Sequence, residues 1–293
     1  MKQLVMNTAT PVMAPAVALS LKSFYRSDKS ATPLENAKQV LIFAPHIDDE
    51  TIGLGGMIRK YASNGTNVHI AVITDGNNSN SADGQAKPSL ADVRKQELLS
   101  IKDLLGISAI TYMEYADGNM KDVASSDAFR GLIEKVKPDV IYTTSLIDAH
   151  PDHVFSAHLL ADALKTTAHK PLLVREYEIN CPVPPEFINC VMDITQEFGA
   201  KKKATEAFKS QVIAFDGFLA LANIKASLVK DPNVRYVETF IESTPARFIE
   251  SAGNLKKKDL EYYRYFKQAN RTITLWWAIF KNIKLKRAFY ESR

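Results

Sequence analysis

Two short clusters of histidine and acidic residues could bind a catalytic metal. Residues 46–50 read HIDDE and residues 148–153 read DAHPDH, and each cluster follows a short apolar run. Two imidazoles and one carboxylate, with a coordination position left open, form a common ligand set for catalytic Zn²⁺. A free carboxylate beside such an ion can take a proton from water that attacks a carbonyl. The same ligands also suit Fe(II), so the ligand set alone leaves the reaction open.

The spacing in the first cluster separates two roles. His46 and Asp49 are three residues apart, which puts them on one side of a turn that enters a helix. Asp48 points in a different direction and is therefore the candidate base. An acidic helix start would explain the carboxylates without any chemistry, but it does not explain His46.

The second cluster presents its histidines from a defined turn. Pro151 suits the first position of a helix and favours an extended conformation at His150. Capping by Pro151 and Asp152 would again explain the helix start, but not the presence of both His150 and His153. The three remaining histidines, at positions 69, 158 and 169, are predicted to be structural.

The surrounding sequence predicts a Rossmann-like, three-layer α/β/α fold with a mostly parallel sheet, because β-branched runs alternate with helical patterns. The predicted strands are residues 40–44, 68–74, 109–115, 140–144 and 172–178, and the predicted helices are residues 51–63, 90–105, 127–135 and 151–167. Ligands bind at the carboxyl edge of such a sheet, so the two clusters are expected to meet there.

Three further segments carry specific predictions. The polar segment 75–89 is long for a connection in a compact domain and is predicted to be a functional loop. Residues 192–229 are predicted to be mainly helical. The sequence Gly53-Leu54-Gly55-Gly56 is interpreted as close helix packing, with dinucleotide binding as the weaker alternative because the third glycine of that motif is missing.

Several motifs, in order and spacing, make the chain resemble the PIG-L/LmbE family of zinc-dependent N-acetylglucosaminyl deacetylases. They are Pro45-His46-Ile47-Asp48-Asp49-Glu50, Thr74-Asp75-Gly76, Arg94 with Glu97, Asp117-Gly118, His150-Pro151-Asp152-His153, and Lys203-Ala204 with Ser210-Gln211. The resemblance covers about residues 38–212 and implies an LmbE-like fold. Ile47 replaces the usual proline of the family, a departure that leaves the ligands and base in place.

The resemblance implies a role for each residue of the two clusters. The metal ligands would be His46, Asp49 and His153. The ion would be Zn²⁺, with Fe²⁺ as the alternative. Asp48 would be the general base, and His150 would stabilise the oxyanion and assist the leaving amine. Asp152 would orient the His150 ring.

The resemblance also implies a substrate. Arg94 and Asp117 would contact it, although Arg94 could instead pair with Glu97 or Asp92 along its helix. The reaction would release acetate from an N-acetylglucosamine-type sugar that is free, conjugated or lipid-linked. The alternative is a catalytically silent carbohydrate-binding or membrane-adaptor protein on the same scaffold.

The sequence divides into an N-terminal arm (1–37), an LmbE-like deacetylase domain (38–250) and a basic amphipathic, helical C-terminal extension (251–293). The net charge is +4, but residues 254–293 alone carry +8. A basic helix over 271–287 with Trp276 and Trp277 could lie on an anionic membrane or dock on its own domain. The acidic remainder and the absence of a known motif argue against nucleic-acid binding.

The remaining composition favours a reducing compartment. The chain has two cysteines, too few for a disulfide framework, and no apolar run of about 20 residues. The apolar stretch 4–21 is interrupted by Pro11 and Pro15 and is interpreted as an arm, with an export signal as the minor alternative. A cytoplasmic location is therefore expected, in solution or peripherally on the cytoplasmic face of a membrane. The sequence leaves the oligomeric state open.

Overall fold

The computed structural model describes residues 2–76, 89–118, 120, 125–211, 214–257 and 261–293, with the backbone alone for residues 2–12. Most of the predicted functional loop, residues 77–88, lies outside the described residues.

The described strands form one sheet in which a parallel body carries an antiparallel edge. The strands are β1 (Gln39–Ala44), β2 (Asn67–Thr74), β3 (Ala109–Tyr115), β4 (Val140–Thr144), β5 (Leu173–Tyr177), β6 (Cys190–Asp193) and β7 (Val237–Ser243). Their order is β3-β2-β1-β4-β5-β7-β6, with β1 to β5 parallel and β7 antiparallel to both of its neighbours. The predicted α/β fold with a mostly parallel sheet is therefore confirmed.

Helices cover the sheet and flank it at both ends of the chain. They are α1 (Lys2–Phe24), α2 (Asp49–Ser63), α3 (Leu90–Leu105), α4 (Ser126–Val136), α5 (Pro151–Thr166), α6 (Phe198–Thr205), α7 (Asp216–Lys225), α8 (Pro245–Lys256), α9 (Leu275–Phe280) and α10 (Ile283–Glu291). Local signals set several ends. The Ser89 side chain caps α3, which ends at Gly106 with φ +77°, and Pro151 opens α5.

The glycines of α2 serve packing, as the sequence interpretation expected. A Cβ on Gly53 would overlap the ring of Tyr177 in β5, and a Cβ on Gly56 would lie 2.7 Å from Ile194. Because Gly53 and Gly56 have no side chains, α2 can pack closely against the sheet and its antiparallel edge. The dinucleotide alternative therefore has no structural support.

Outside the parallel body, the structure differs from the sequence interpretation at two places. Residues 192–229 are mainly helical, as predicted, and contain α6 and α7, but their first two residues end β6, a strand that the sequence interpretation did not include. Beyond this region, β7 completes the edge of the sheet. The N-terminal stretch is one helix that continues through Pro11 and Pro15. Its C-terminal end docks on the core, since Leu21 and Tyr25 are fully buried and the Tyr25 hydroxyl donates to the Val183 carbonyl at 3.1 Å.

The basic extension is also different from the single helix expected over 271–287. It turns at Asn282, which has φ +54°, so α9 and α10 are separate. Leu275 and Ile279 are buried, and Lys286 is fully buried with its ammonium donating to the Pro182 carbonyl of the domain at 3.4 Å. The segment therefore docks on its own domain.

Within the described residues, no helix combines the length and hydropathy needed to cross a membrane. Cys181 and Cys190 are both buried free thiols, in keeping with the expectation that they form no disulfide framework.

Candidate metal centre and substrate pocket

The turn between β1 and α2 is held by its own side chains and by the neighbouring strand. Asp49 Oδ2 accepts a hydrogen bond from the His46 backbone N–H at 2.9 Å. Thr74, the last residue of β2, donates both its N–H and its hydroxyl to the Pro45 carbonyl, at 2.9 and 2.8 Å. Asp48 has φ +117°, a backbone conformation that costs a non-glycine residue about 1–3 kcal/mol. Such strain is typical of functional positions.

The turn between β4 and α5 is built around one buried carboxylate. Asp148 accepts hydrogen bonds from the backbone N–H of His150 at 2.8 Å and from the backbone and side chain of Asn180 at 2.9 and 3.1 Å. The Thr144 hydroxyl donates to the carbonyl of His153 at 2.8 Å and ties the first turn of α5 to the end of β4. This turn is therefore fixed on both sides of its histidines.

The two turns bring three ligand atoms into one triangle. His46 Nδ1, Asp49 Oδ2 and His153 Nε2 lie 3.2 Å from one another along each side. A tetrahedral ion with bonds of about 2.0–2.1 Å keeps its ligand atoms roughly 3.3–3.4 Å apart. The three side chains are at most 15% exposed. The residues present therefore fit a single zinc-sized ion.

Both imidazoles of the triangle have carboxylates on their outer nitrogen atoms. His153 Nδ1 lies 3.1 Å from Asp148 Oδ1, at an angle outside hydrogen-bond geometry. His46 Nε2 lies 3.3 Å from Asp117 Oδ1 and 3.4 Å from Asp152 Oδ2. Carboxylates in these positions orient metal-binding imidazoles and increase their basicity.

Asp152 therefore contacts a different histidine from the one predicted. Its carboxylate lies against His46 and accepts the Gly118 N–H at 2.9 Å, whereas it was expected to orient His150. The reason lies in the start of α5. His150 is the N-cap residue, and its Nδ1 accepts the backbone N–H of Asp152 at 3.3 Å, so a backbone group occupies the position expected for the carboxylate.

The electrostatics of the triangle favour added positive charge. Burial by itself lowers the pKa of His153, but Asp49 and Asp148 raise it overall to about 9. Burial likewise opposes protonation of His46, yet hydrogen bonds to Asp117, Asp152 and Asp49 raise its pKa well above the ordinary value. A divalent cation can supply the positive charge that these protons would otherwise provide.

The two candidate catalytic side chains have opposite electrostatic surroundings. Burial, with the neighbouring carboxylates of Asp49 and Glu50, raises the pKa of Asp48 well above its ordinary value. Burial, followed by the positive charges of His153 and His46, lowers the pKa of His150 to about 4. The imidazole rings of His46 and His150 are edge to face, with centroids 4.7 Å apart, and one ring nitrogen from each of His46, His150 and His153 lies within 4.8 Å of the others, so His150 borders the triangle.

A cavity of about 240 Å³ opens over the triangle. Seven of the eight predicted site residues line it: His46, Asp48, Asp49, Arg94, Asp117, His150 and His153. Asp152 stands behind His46 and does not line it. The structure adds wall residues that sequence reasoning did not assign: Ile52, Ile179, Asn180, Gln211, Phe218, Gln268 and Asn270. The last two come from the C-terminal extension, where no motif indicated them.

Arg94 reaches the pocket from α3. Its guanidinium donates to the Gly76 carbonyl at 3.0 Å and to Gln211 Oε1 at 3.2 Å, while Glu97 instead accepts hydrogen bonds from Ser210. Its buried Nε has no hydrogen-bond partner among the described residues. The alternative in which Arg94 only pairs with Glu97 or Asp92 along its helix is therefore not what the structure shows.

The three histidines predicted to be structural lie away from the pocket lining. His69 Nε2 contacts the Thr111 hydroxyl and His169 Nε2 contacts the Pro138 carbonyl, each at 2.8 Å. His158 is buried along α5.

Part of the chain is similar to a known protein family. Residues 41–164 match the model of the PIG-L family, whose description is GlcNAc-PI de-N-acetylase. The matched residues cover less than half of the chain. The match includes both histidine turns, Arg94 and Asp117, and excludes the C-terminal extension.

The chain is also similar to two curated proteins over nearly half of its length. A diacetylchitobiose deacetylase of Thermococcus kodakarensis is 28% identical over 143 residues, which cover 45% of this chain and 51% of the relative. A probable N-acetyl-alpha-D-glucosaminyl L-malate deacetylase of Bacillus anthracis is 26% identical over 140 residues, covering 45% and 62%. The chain thus spans about half to three-fifths of these relatives.

Solved structures share the fold over a larger part of the chain. An N,N'-diacetylchitobiose deacetylase from Pyrococcus horikoshii has a TM-score of 0.62 at 23% identity, covering 73% of this chain and 86% of that one. A 4-carboxy-2-hydroxymuconate hydratase from Pseudomonas putida has a TM-score of 0.57 at 20% identity, covering 71% and 97%. Because this fold occurs in both a deacetylase and a hydratase, the fold alone does not determine the reaction, which must be inferred from the residues of the site.

Proposed function

We propose that the protein is a metal-dependent N-deacetylase, which hydrolyses the acetamide of an N-acetylglucosamine-type sugar and yields an amine and acetate. The triangle of His46, Asp49 and His153, with Asp48 beside it in the same cavity, is the observation that carries the proposal. The PIG-L match and the names of the two curated relatives support the choice of reaction.

His46, Asp49 and His153 are the proposed ligands, and Zn²⁺ is the proposed ion, with Fe²⁺ as the alternative. The donor set of two nitrogens and one oxygen suits either ion. A divalent cation bound there supplies polarisation of the amide carbonyl and acidifies nearby water.

Asp48 is the proposed general base. It lines the cavity from the first turn, where its backbone has φ +117°. A carboxylate in this position takes a proton from the attacking water as the new C–O bond forms. Activation of water therefore needs no second base in the pocket.

His150 is the proposed partner of the developing oxyanion and of the leaving amine. It lines the same cavity beside His46 and is anchored by the Asp148 contact to its backbone N–H. Because His150 Nδ1 accepts the Asp152 N–H, the neutral ring has its proton on Nε2. This N–H can stabilise negative charge on the carbonyl oxygen and pass its proton to nitrogen as the C–N bond breaks.

Arg94 and Asp117 are the proposed substrate contacts. The unpartnered Nε of Arg94 is a buried donor beside the cavity, and Asp117 presents an acceptor to the same space. A donor and an acceptor in one pocket match the hydroxyl groups of a sugar. Asp152, by its contact with His46, is proposed to position that ligand rather than to touch substrate.

The division of the chain at residues 37 and 250, the location on the cytoplasmic side and the membrane contact remain proposals. Trp276 is 53% exposed and the extension is basic, which supports a peripheral contact and a lipid-linked substrate. Co-sedimentation with anionic and neutral vesicles tests this, with binding to the anionic vesicles alone as the expected result.

An acetate-release screen tests the proposed activity. The purified protein is incubated with N-acetylated sugars, including conjugated and lipid-linked ones, with and without a chelator. We expect acetate release that the chelator abolishes and that Zn²⁺ or Fe²⁺ restores. Bound metal without acetate release from any sugar would instead favour the silent carbohydrate-binding or adaptor protein.

A further inference from the structure

A second cavity opens beside the catalytic pocket and is formed mainly by the C-terminal extension. Its volume is about 400 Å³, and its wall includes Tyr263, Lys267 and Trp277. Gln268 and Asn270 line both this cavity and the catalytic pocket. We call the second cavity the outer cleft. Because the two cavities share these walls, one elongated molecule can occupy both.

The outer cleft lies on the side of the catalytic pocket where the sugar must be. Ala149 lines the outer cleft, and the next residue, His150, lines the catalytic pocket. In the proposed function His150 assists the leaving amine, and the sugar is attached to that nitrogen. The sugar therefore lies towards His150, and a substituent on the sugar is directed to the outer cleft.

The lining of the outer cleft suits a sugar ring. Trp277 is 55% exposed and Tyr263 is 46% exposed, so both offer open aromatic surface. The C–H groups of a pyranose ring pack against the electron-rich face of an aromatic ring. The amides of Gln268 and Asn270 can each donate to and accept from hydroxyl groups. None of the described lining residues is a carboxylate.

The Trp277 ring is supported from within the cleft wall. Lys267 Nζ lies 5.5 Å from the centroid of this ring, a cation–π arrangement that helps to fix its orientation. The neighbouring Trp276 is almost equally exposed, but it packs against Phe280 and does not line the cleft. The two adjacent tryptophans therefore differ in position while matching in type and exposure.

We propose that the outer cleft is a subsite for a second sugar ring, joined to the ring whose acetamide is hydrolysed. This proposal rests on the proposed deacetylase function for the identity of the first ring. The residues that form the subsite lie mostly outside the matched PIG-L region. They therefore affect which substrates this chain prefers, whereas the matched region supplies the residues of the reaction.

Kinetics with one-ring and two-ring substrates tests the subsite. For Trp277→Ala, kcat/KM for N,N'-diacetylchitobiose should fall about tenfold or more, as expected for loss of an aromatic anchor. The value for N-acetylglucosamine should stay within about twofold, since the first ring does not reach the cleft. Trp276→Ala is the matched control and should change neither value.

Three results would overturn the subsite. The first is an equal fall in kcat/KM for the one-ring and the two-ring substrate in Trp277→Ala, and the second is an equal fall in Trp276→Ala. The third is unchanged kcat/KM in Trp277→Ala with weaker binding to anionic vesicles, which would assign Trp277 to a membrane surface.

Calorimetry separates the subsite from the proposed activity. The probe is chitobiose, which has no acetyl group to remove, added to the metal-loaded protein. Weaker binding of chitobiose to Trp277→Ala than to Trp276→Ala supports the subsite even if the unmodified protein releases no acetate. Equal binding by both variants overturns the subsite even if acetate release is normal.

Discussion

The turn after β1 and the turn after β4 each bring an imidazole to the same triangle, but their backbones are held differently. The first turn has a left-handed Asp48 between its two ligands, and Thr74 of the adjacent strand holds it from outside. The second turn has ordinary backbone angles and is organised around Asp148. Backbone strain thus lies at the proposed base itself, while a hydrogen-bonded carboxylate stabilises the turn that supplies the proposed acid.

Because of this difference, substitutions in the two turns should impair the enzyme in two different ways. Changes to a ligand, or to the carboxylate behind it, should act through metal affinity, whereas changes to Asp48 should act through turnover with the metal retained.

The largest effect is expected from loss of the ligand in the second turn. His153→Ala removes one corner of the triangle and should leave little bound metal, with activity lowered by at least ~10³-fold. Elemental analysis and acetate release measure the two losses. His158→Ala, in the same helix but away from the pocket, should retain the metal. A His153 variant with normal metal content would refute the ligand assignment.

The next effect concerns the strained position in the first turn. Asp48→Asn should keep the metal and lower kcat by ~10²- to 10⁴-fold, because an amide cannot act as the base. Asparagine tolerates a positive φ better than most residues, so the turn should be preserved. The metal content and kcat are measured on the same sample. Normal turnover would remove Asp48 from the mechanism.

A smaller effect should follow from weakening the support behind His153. Asp148→Asn keeps the shape but loses the charge beside Nδ1, and metal affinity should fall about 10- to 100-fold. Competition with a chromophoric chelator measures this affinity. Asp139→Asn is a control, because Asp139 accepts backbone hydrogen bonds from Lys38 and Gln39 at the start of β1. Equal losses in both variants would indicate general destabilisation.

The smallest effect is expected at the pocket wall, outside both turns. Arg94→Lys retains the charge but loses the buried Nε donor, so KM should rise roughly three- to tenfold with a smaller change in kcat. Metal content should not change. If KM stays constant and metal is lost instead, Arg94 supports the turns and does not contact the substrate.

The parallel body of the sheet was predictable from the sequence because its signals are local. Continuous apolar runs define β3 and β4 at the bounds that the structure shows, and the capped pattern of α3 does the same for its helix. The convergence of His46 and His153 followed from one rule, that neighbouring parallel strands end at one edge.

The missed features depend on distant partners. The four residues of β6 form a strand by pairing with β7, which lies far along the chain, and so short a run carries little pattern of its own. The Asp152 carboxylate contacts His46 because the N-cap His150 accepts the backbone N–H of Asp152 instead, a hydrogen bond that the sequence does not indicate. Gln268 and Asn270 reach the pocket through docking of the extension, for which spacing gives no signal.

The contribution of Gln268 and Asn270 to the pocket also sets an order of events during translation. The ribosome delivers both histidine turns well before these two amides emerge. The cation-binding corner can therefore assemble on a nascent chain whose catalytic pocket is still open on one side, and the docking of the segment that carries Gln268 and Asn270 closes that wall.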